Sequence, residues 1–138
     1  MDRVGFDVLT ISKARRNQDY FREVVLASYD TTCAITGLRN AALLVASHII
    51  PWSQSETVRL NPSNGICLNA LHDKAFDSGL MTFDEDYCLI YSDQLQPTAG
   101  SSWKSLFAPY QGLKLTMPSR FLPARESLEF HRNTIFIP

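Results

Sequence analysis

The segment from Ala41 to Gly79 constrains the chain most, because in under forty residues it reads strand, loop, strand, helix. Ala41 to Ile50 is apolar with β-branched content and is stopped by Pro51, so it is expected as a buried strand. Alternation puts Leu44, Ala46, His48 and Ile50 on one side of it and Leu43, Val45, Ser47 and Ile49 on the other. Ser53 to Ser63 is a polar loop closed by the turn-forming Asn61-Pro62-Ser63-Asn64-Gly65, and Ile66 to Leu68 is a second short strand. Asn69 can then cap a helix over Ala70 to Ser78, which Gly79 ends in the left-handed conformation.

Around that segment the periodicity predicts a helix from about Lys13 to Ser28, with Phe21, Val24, Val25 and Ser28 inward and Arg15, Gln18, Asp19 and Arg22 outward. Tyr29 to Thr32 ends it, and Thr36 to Asn40 is a turn. Downstream, Met81 to Phe83 and Tyr87 to Tyr91 form a hairpin about Asp84-Glu85-Asp86. Gln96 to Ser102 reads as loop, Leu113 to Thr116 as a further strand, and Pro123 to Phe136 as a terminal helix. With 138 residues, 45% of them hydrophobic, the expectation is a single domain over residues 1–138.

Cys33, Cys67 and Cys88 are odd in number and form no CxxC pair, so they are expected as reduced, mostly buried residues of a cytosolic protein. The start of the chain lacks a signal-peptide apolar stretch, the longest apolar run is too short for a bilayer, and Pro62 spoils the one glycosylation sequon, at Asn61. Net charge is −1, which by itself argues against a nucleic-acid binder. The distribution argues the other way: residues 1–40 hold six of the thirteen Lys/Arg and residues 100–138 hold five, while the middle carries Arg59 and Lys74 beside seven acids. Such an acidic centre between basic flanks suits a cation site with phosphate-contacting arms.

Taken singly, His48 is a core histidine, Asn64 a turn former, and Asp73 with Asp77 a solvated helix face. Their order and spacing say more. Ala46-Ser47-His48-Ile49-Ile50-Pro51-Trp52, Asn61 to Gly65, and Leu71 to Leu80 together resemble the restriction-type branch of the HNH endonuclease family, which reads ASHIxPW, NPxNG and LHxxAFDxGL. Gln18, Phe21-Arg22, Cys33 to Gly37 and, more weakly, Leu128, His131-Arg132 and Phe136 extend the likeness over most of the chain.

The resemblance implies an α+β fold on a ββα-metal core spanning about residues 31–80, with the N-terminal helix and the C-terminal hairpin and helix around it. It also implies a metal-dependent DNA endonuclease acting in restriction or phage defence. His48, near ~6.5 in pKa, is expected as the general base that takes a proton from water. Asn64 is expected to accept from its other ring nitrogen. Asp73 and Asp77 share one helix face and are expected to converge on a cation, with His72 as a further ligand or a packing residue. Many relatives show His-His where His72-Asp73 stands, and an Asp or His where Ser47 stands. An oxygen-rich site favours Mg²⁺ or Mn²⁺, whereas ligation by His72 would draw it toward Zn²⁺, Ni²⁺ or Co²⁺.

Lys13, Arg15, Arg16 and Arg22 are the candidate phosphate contacts. Trp52 and Phe76 are expected as core aromatics rather than base-stacking residues, and His131 as a structural residue or a weak phosphate contact. Partners implied are DNA, a second copy for double-strand cleavage, and a fused or accompanying recognition domain. Two rivals use the same residues: a DNA-binding module with a degenerate site, and a nuclease selective for RNA or for nucleic-acid structure.

Overall fold

The computed structural model describes residues 3–51 and 56–138, with side chains from Lys13 onward apart from Glu56. Helix α1 runs from Arg3 to Ser28, ten residues earlier than expected, since nothing upstream of Lys13 breaks it. Phe21, Val25 and Ser28 are buried as the periodicity requires.

The expected first strand divides in two. Asn40 caps a single 3₁₀ turn, Ala41–Leu43, by accepting the Ala42 N–H at 2.9 Å, and only then does β1, Leu44–His48, begin. After the short helix α2, Glu56–Arg59, and a 3₁₀ turn at Pro62–Asn64, strand β2, Gly65–Asn69, pairs antiparallel with β1. The register sets Leu44 opposite Asn69, Ala46 opposite Cys67 and His48 opposite Gly65. Trp52 lies outside the described residues.

Asn69 caps α3, Ala70–Asp77, by accepting the His72 N–H at 2.9 Å, and Gly79 follows at φ +77. Glycine is required there, because a Cβ would run into the Ile135 carbonyl. Helices α1 and α3 both pack on the β1–β2 hairpin. Phe21, Val25, Ile66, Leu68 and Phe76 are almost fully excluded from solvent. Cys33 ties the preceding turn to this unit: its sulfur accepts the N–H groups of Thr36 at 3.5 Å and Asn69 at 3.3 Å. All three cysteines are free; Cys33 and Cys67 are buried and Cys88 half-buried.

Strands β3, Met81–Phe83, and β4, Leu89–Tyr91, form the expected hairpin. The strand expected at Leu113 to Thr116 is reduced to a bridge between Cys88 and Lys114. The Gln96 to Ser102 loop is instead helical. Helix α4, Leu95–Ala99, is followed by short 3₁₀ and π turns through Tyr110. Pro97 falls within the first turn of α4, where its missing N–H costs nothing. The terminal helix is α5, Arg125–Phe130, running into a π turn at His131–Ile135. Fold class is therefore α+β, with a ββα core, an N-terminal helix, and a C-terminal hairpin and helix.

Gly65 is the tightest point of the core. A Cβ there would lie 2.6 Å from Val25 Cγ2 and 2.8 Å from Phe21 Cζ, both on α1 and both buried. Gly65→Ala is expected to cost about 1–3 kcal/mol through overpacking, measured as a lowered urea midpoint. An unchanged midpoint would show that α1 yields at no cost.

Candidate active site

His48 ends β1, half-buried, and its ring lies flat on Phe21 of α1, with centroids 4.3 Å apart and planes at 11°. The register explains the room for that stack. Directly opposed residues project to one face of an antiparallel pair, and the partner of His48 is Gly65, which has no side chain. Phe21 occupies the space. The His48 ring is also hydrogen-bonded to the Arg59 backbone, so a strand end, a helix and the loop exit all orient it.

Burial pushes the His48 pKa below its usual 6.5, and the Arg59 charge adds to this. The Asp73 carboxylate and the Arg59 backbone act in the opposite direction. Burial prevails, which leaves the imidazole neutral and proton-accepting at neutral pH.

Asn64 is buried beside this residue, but its amide does not make the expected bond to the ring. Its Oδ1 accepts the Ile50 N–H at 2.8 Å and its Nδ2 donates to the Ile50 carbonyl at 3.2 Å, while its own carbonyl accepts the Ile49 N–H at 2.8 Å. The reason is backbone accounting: the chain leaves the ladder after His48, Pro51 follows, and the polar groups of Ile50 need partners. Asn64 thus clamps the segment that carries His48 and acts on the ring at one remove.

On α3, Asp73 is half-buried and Asp77 is exposed. The Asp73 charge acts electrostatically on both His48 and Asp77. The Asp77 pKa is raised by partial burial and by the Asp73 charge, against a lowering by Lys74. Two carboxylates one helical turn apart suit a cation, and the donor set is all oxygen. Among the described residues no group of three or more His, Cys, Asp and Glu side chains is arranged to hold a metal. The donors present therefore fit an ion that keeps water and substrate oxygens in its shell, as Mg²⁺ does, better than a closed all-protein cage. Ser47, where a ligand was expected to be missing, is buried with its hydroxyl lacking a hydrogen-bond partner.

His72 is not a ligand. It is 1% exposed, its Nδ1 lies 3.0 Å from Asn69 Nδ2, and its Nε2 lies 2.8 Å from the Tyr91 hydroxyl. Phe107 and Tyr110 pack against the ring. Adjacent helical residues point about 100° apart, so a face that presents Asp73 and Asp77 outward turns His72 into the core. Burial lowers its pKa to about 4. Arg22 is also corrected: its guanidinium donates to the Leu44 carbonyl at 2.6 Å and the Ala41 carbonyl at 2.9 Å, which anchors β1 to α1. Lys13, Arg15 and Arg16 are exposed on α1, roughly 8–12 Å along the axis from Phe21.

His131 is structural as expected. It stacks on Phe76 at 3.8 Å, donates through Nε2 to the Phe76 carbonyl at 2.9 Å, and accepts at Nδ1 from the Thr82 hydroxyl at 2.8 Å. Two participants escaped the sequence reading. Periodicity marked Phe21 as an inward residue but could not name His48 as its neighbour. Arg59 carried one signal, as a lone cation just before the Asn61 turn.

Comparison with known proteins agrees with this fold. The family model described as HNH endonuclease matches residues 33–84. Among solved structures, the chain is similar to a modification-dependent TagI restriction endonuclease, with a TM-score of 0.56 and 15% identity. The match covers 84% of this chain and 37% of that one, and at such identity it shows a shared fold. No curated protein matches the chain.

Proposed function

We propose that the chain, whose residues 33–84 match the HNH endonuclease family model, hydrolyses DNA phosphodiester bonds with His48 as general base. The observation that carries this reading is a neutral, half-buried imidazole fixed on Phe21 within the field of the Asp73 carboxylate. His48 takes the proton of a water aimed at phosphorus, and Asn64 keeps the chain after it in place. Asp73 and Asp77 would hold a divalent cation, Mg²⁺ or Mn²⁺. When bound, such an ion supplies positive charge for the transition state and the departing 3′ oxygen. Lys13, Arg15 and Arg16 give backbone contacts that carry no sequence information.

The similarity to a restriction endonuclease supports a role in restriction or phage defence. Because the chain spans 37% of that protein's length, a recognition domain, joined or separate, belongs to the same proposal. So does a homodimer, since one such site cuts one strand. Among the described residues no helix is long and apolar enough to cross a membrane, and a cytoplasmic setting fits the free cysteines.

Nicking of supercoiled plasmid with Mg²⁺ or Mn²⁺ is the test. Asp77→Asn is expected to lower the rate at least tenfold at limiting metal, with part of the loss recovered at high Mn²⁺, and chelation by EDTA is expected to abolish cleavage. One observation favours a rival, a DNA-binding module with a degenerate site: the ligand position before His48 is a buried serine. DNA binding without metal-dependent nicking would establish that rival. Preferential cleavage of RNA or branched DNA would establish the structure-selective one.

A further inference from the structure

The segment Ser119 to Ala124 is held at both ends and bare in the middle. At one end Ser119 donates to the Ser28 carbonyl of α1, through N–H at 2.9 Å and hydroxyl at 3.3 Å. At the other, Pro123 accepts the Tyr87 hydroxyl at 3.0 Å and Ala124 donates to the Ser63 carbonyl at 3.0 Å. Between them stand Arg120, Phe121 and Leu122, all exposed, with Phe121 at 43% and Leu122 at 54%. The Arg120 guanidinium sits 5.9 Å from the Phe121 ring centroid, so cation and ring form one unit.

Phe121 adopts φ +55, a left-handed conformation that a bulky residue resists. Tyr87, the other aromatic with positive φ among the described residues, is buried and hydrogen-bonded, so packing accounts for its backbone. The Phe121 strain is spent on presenting an apolar ring to solvent. Strain of that kind collects where a group must be held ready for a ligand.

Position and charge indicate the ligand. Ser63 immediately precedes Asn64, the clamp of the His48 segment, and Phe121 is three residues from Ala124, at most about 11 Å along the chain. The tip is therefore tied, through Ala124 and Ser63, to the residue next to that clamp. From Gln94 to Arg125 the sequence contains no acid and four cations: Lys104, Lys114, Arg120 and Arg125. Arg125 is engaged by the Glu85 carbonyl and the Tyr87 ring, which leaves Arg120 as the cation at the tip.

We propose that Arg120, Phe121 and Leu122 form a wedge that inserts an apolar side chain between base steps of duplex DNA, with the Arg120 guanidinium on a neighbouring phosphate. Minor-groove proteins use this combination of apolar insertion and adjacent cation to unstack and bend a duplex. The inference rests on the nuclease reading and adds to it a way of holding and deforming the substrate beside the cut.

A duplex carrying 2-aminopurine, which brightens on unstacking, tests the wedge with His48→Ala protein, so that the DNA stays whole. Binding is expected to raise the fluorescence. Adding Phe121→Ala is expected to remove that rise and weaken binding about tenfold. Phe121→Gly relieves the backbone while removing the ring, so it should melt no lower than its parent yet lose affinity similarly; that result excludes misfolding as the cause. Unchanged affinity in Phe121→Gly overturns the proposal, as a protein-docking tip would predict. A parent protein that binds and whose wild type nicks, but with no fluorescence rise, also overturns it and leaves the nuclease reading standing. A wild type that neither binds nor nicks DNA overturns both.

Discussion

His48→Ala is expected to lower the plasmid-nicking rate by about 10²–10⁴-fold while leaving DNA affinity nearly unchanged, because removing the proposed general base takes away proton transfer and spares the phosphate contacts. The geometry makes this residue hard to replace. Its ring is set by the flat contact with Phe21, by the bond to the Arg59 backbone, and by the Asn64 clamp on Ile50. A water admitted by the shortened side chain has no comparable orientation. Single-turnover cleavage and fluorescence anisotropy measured on the same preparation separate the two effects. A rate within threefold of wild type would remove His48 from the chemistry; parallel loss of binding and cleavage would make it a structural residue.

The second large effect concerns acid. His72 and His131 are buried, and burial lowers each pKa from 6.5 to about 4. The unfolded chain therefore binds more protons than the native one between those values. The stability that depends on keeping the rings neutral is fully present above pH 6.5 and is lost as pH falls toward 4. At about 1.4 kcal/mol for each tenfold change in proton affinity, each ring accounts for about 3 kcal/mol. Set against a typical stability of about 5–15 kcal/mol, the pair should bring the protein close to unfolding near pH 4. Urea midpoints at pH 7, 6, 5 and 4 follow the loss, and His131→Gln should flatten the pH dependence by about one proton. A midpoint constant from pH 7 to 5 would contradict it.

Much of this architecture was legible in the residues. Asn69 before the helix, Gly79 after it and Pro51 after the strand are local signals, and they placed the helix ends to within one residue and the strand end to within two. Where strand composition was the only guide, it failed. Ala41–Leu43 has strand composition but turns because Asn40 offers a cap, and Leu113 to Thr116 contributes a bridge because its pairing with Cys88 is brief. The candidate site divides in the same way. The spacing of Asp73 and Asp77 follows from one helix and was readable. The diversion of the Asn64 amide to Ile50, and of Arg22 to two strand carbonyls, depends on which backbone groups the tertiary fold leaves unpaired, which no local pattern records.

The flat contact between Phe21 and His48 carries a warning for anyone trimming this protein. The signature stretch starts at residue 33, downstream of the aromatic shelf on which the His48 ring rests. A fragment cut to that stretch would retain every polar letter of the motif and lose the surface that aims it, and an idle fragment of that kind would say nothing about the parent.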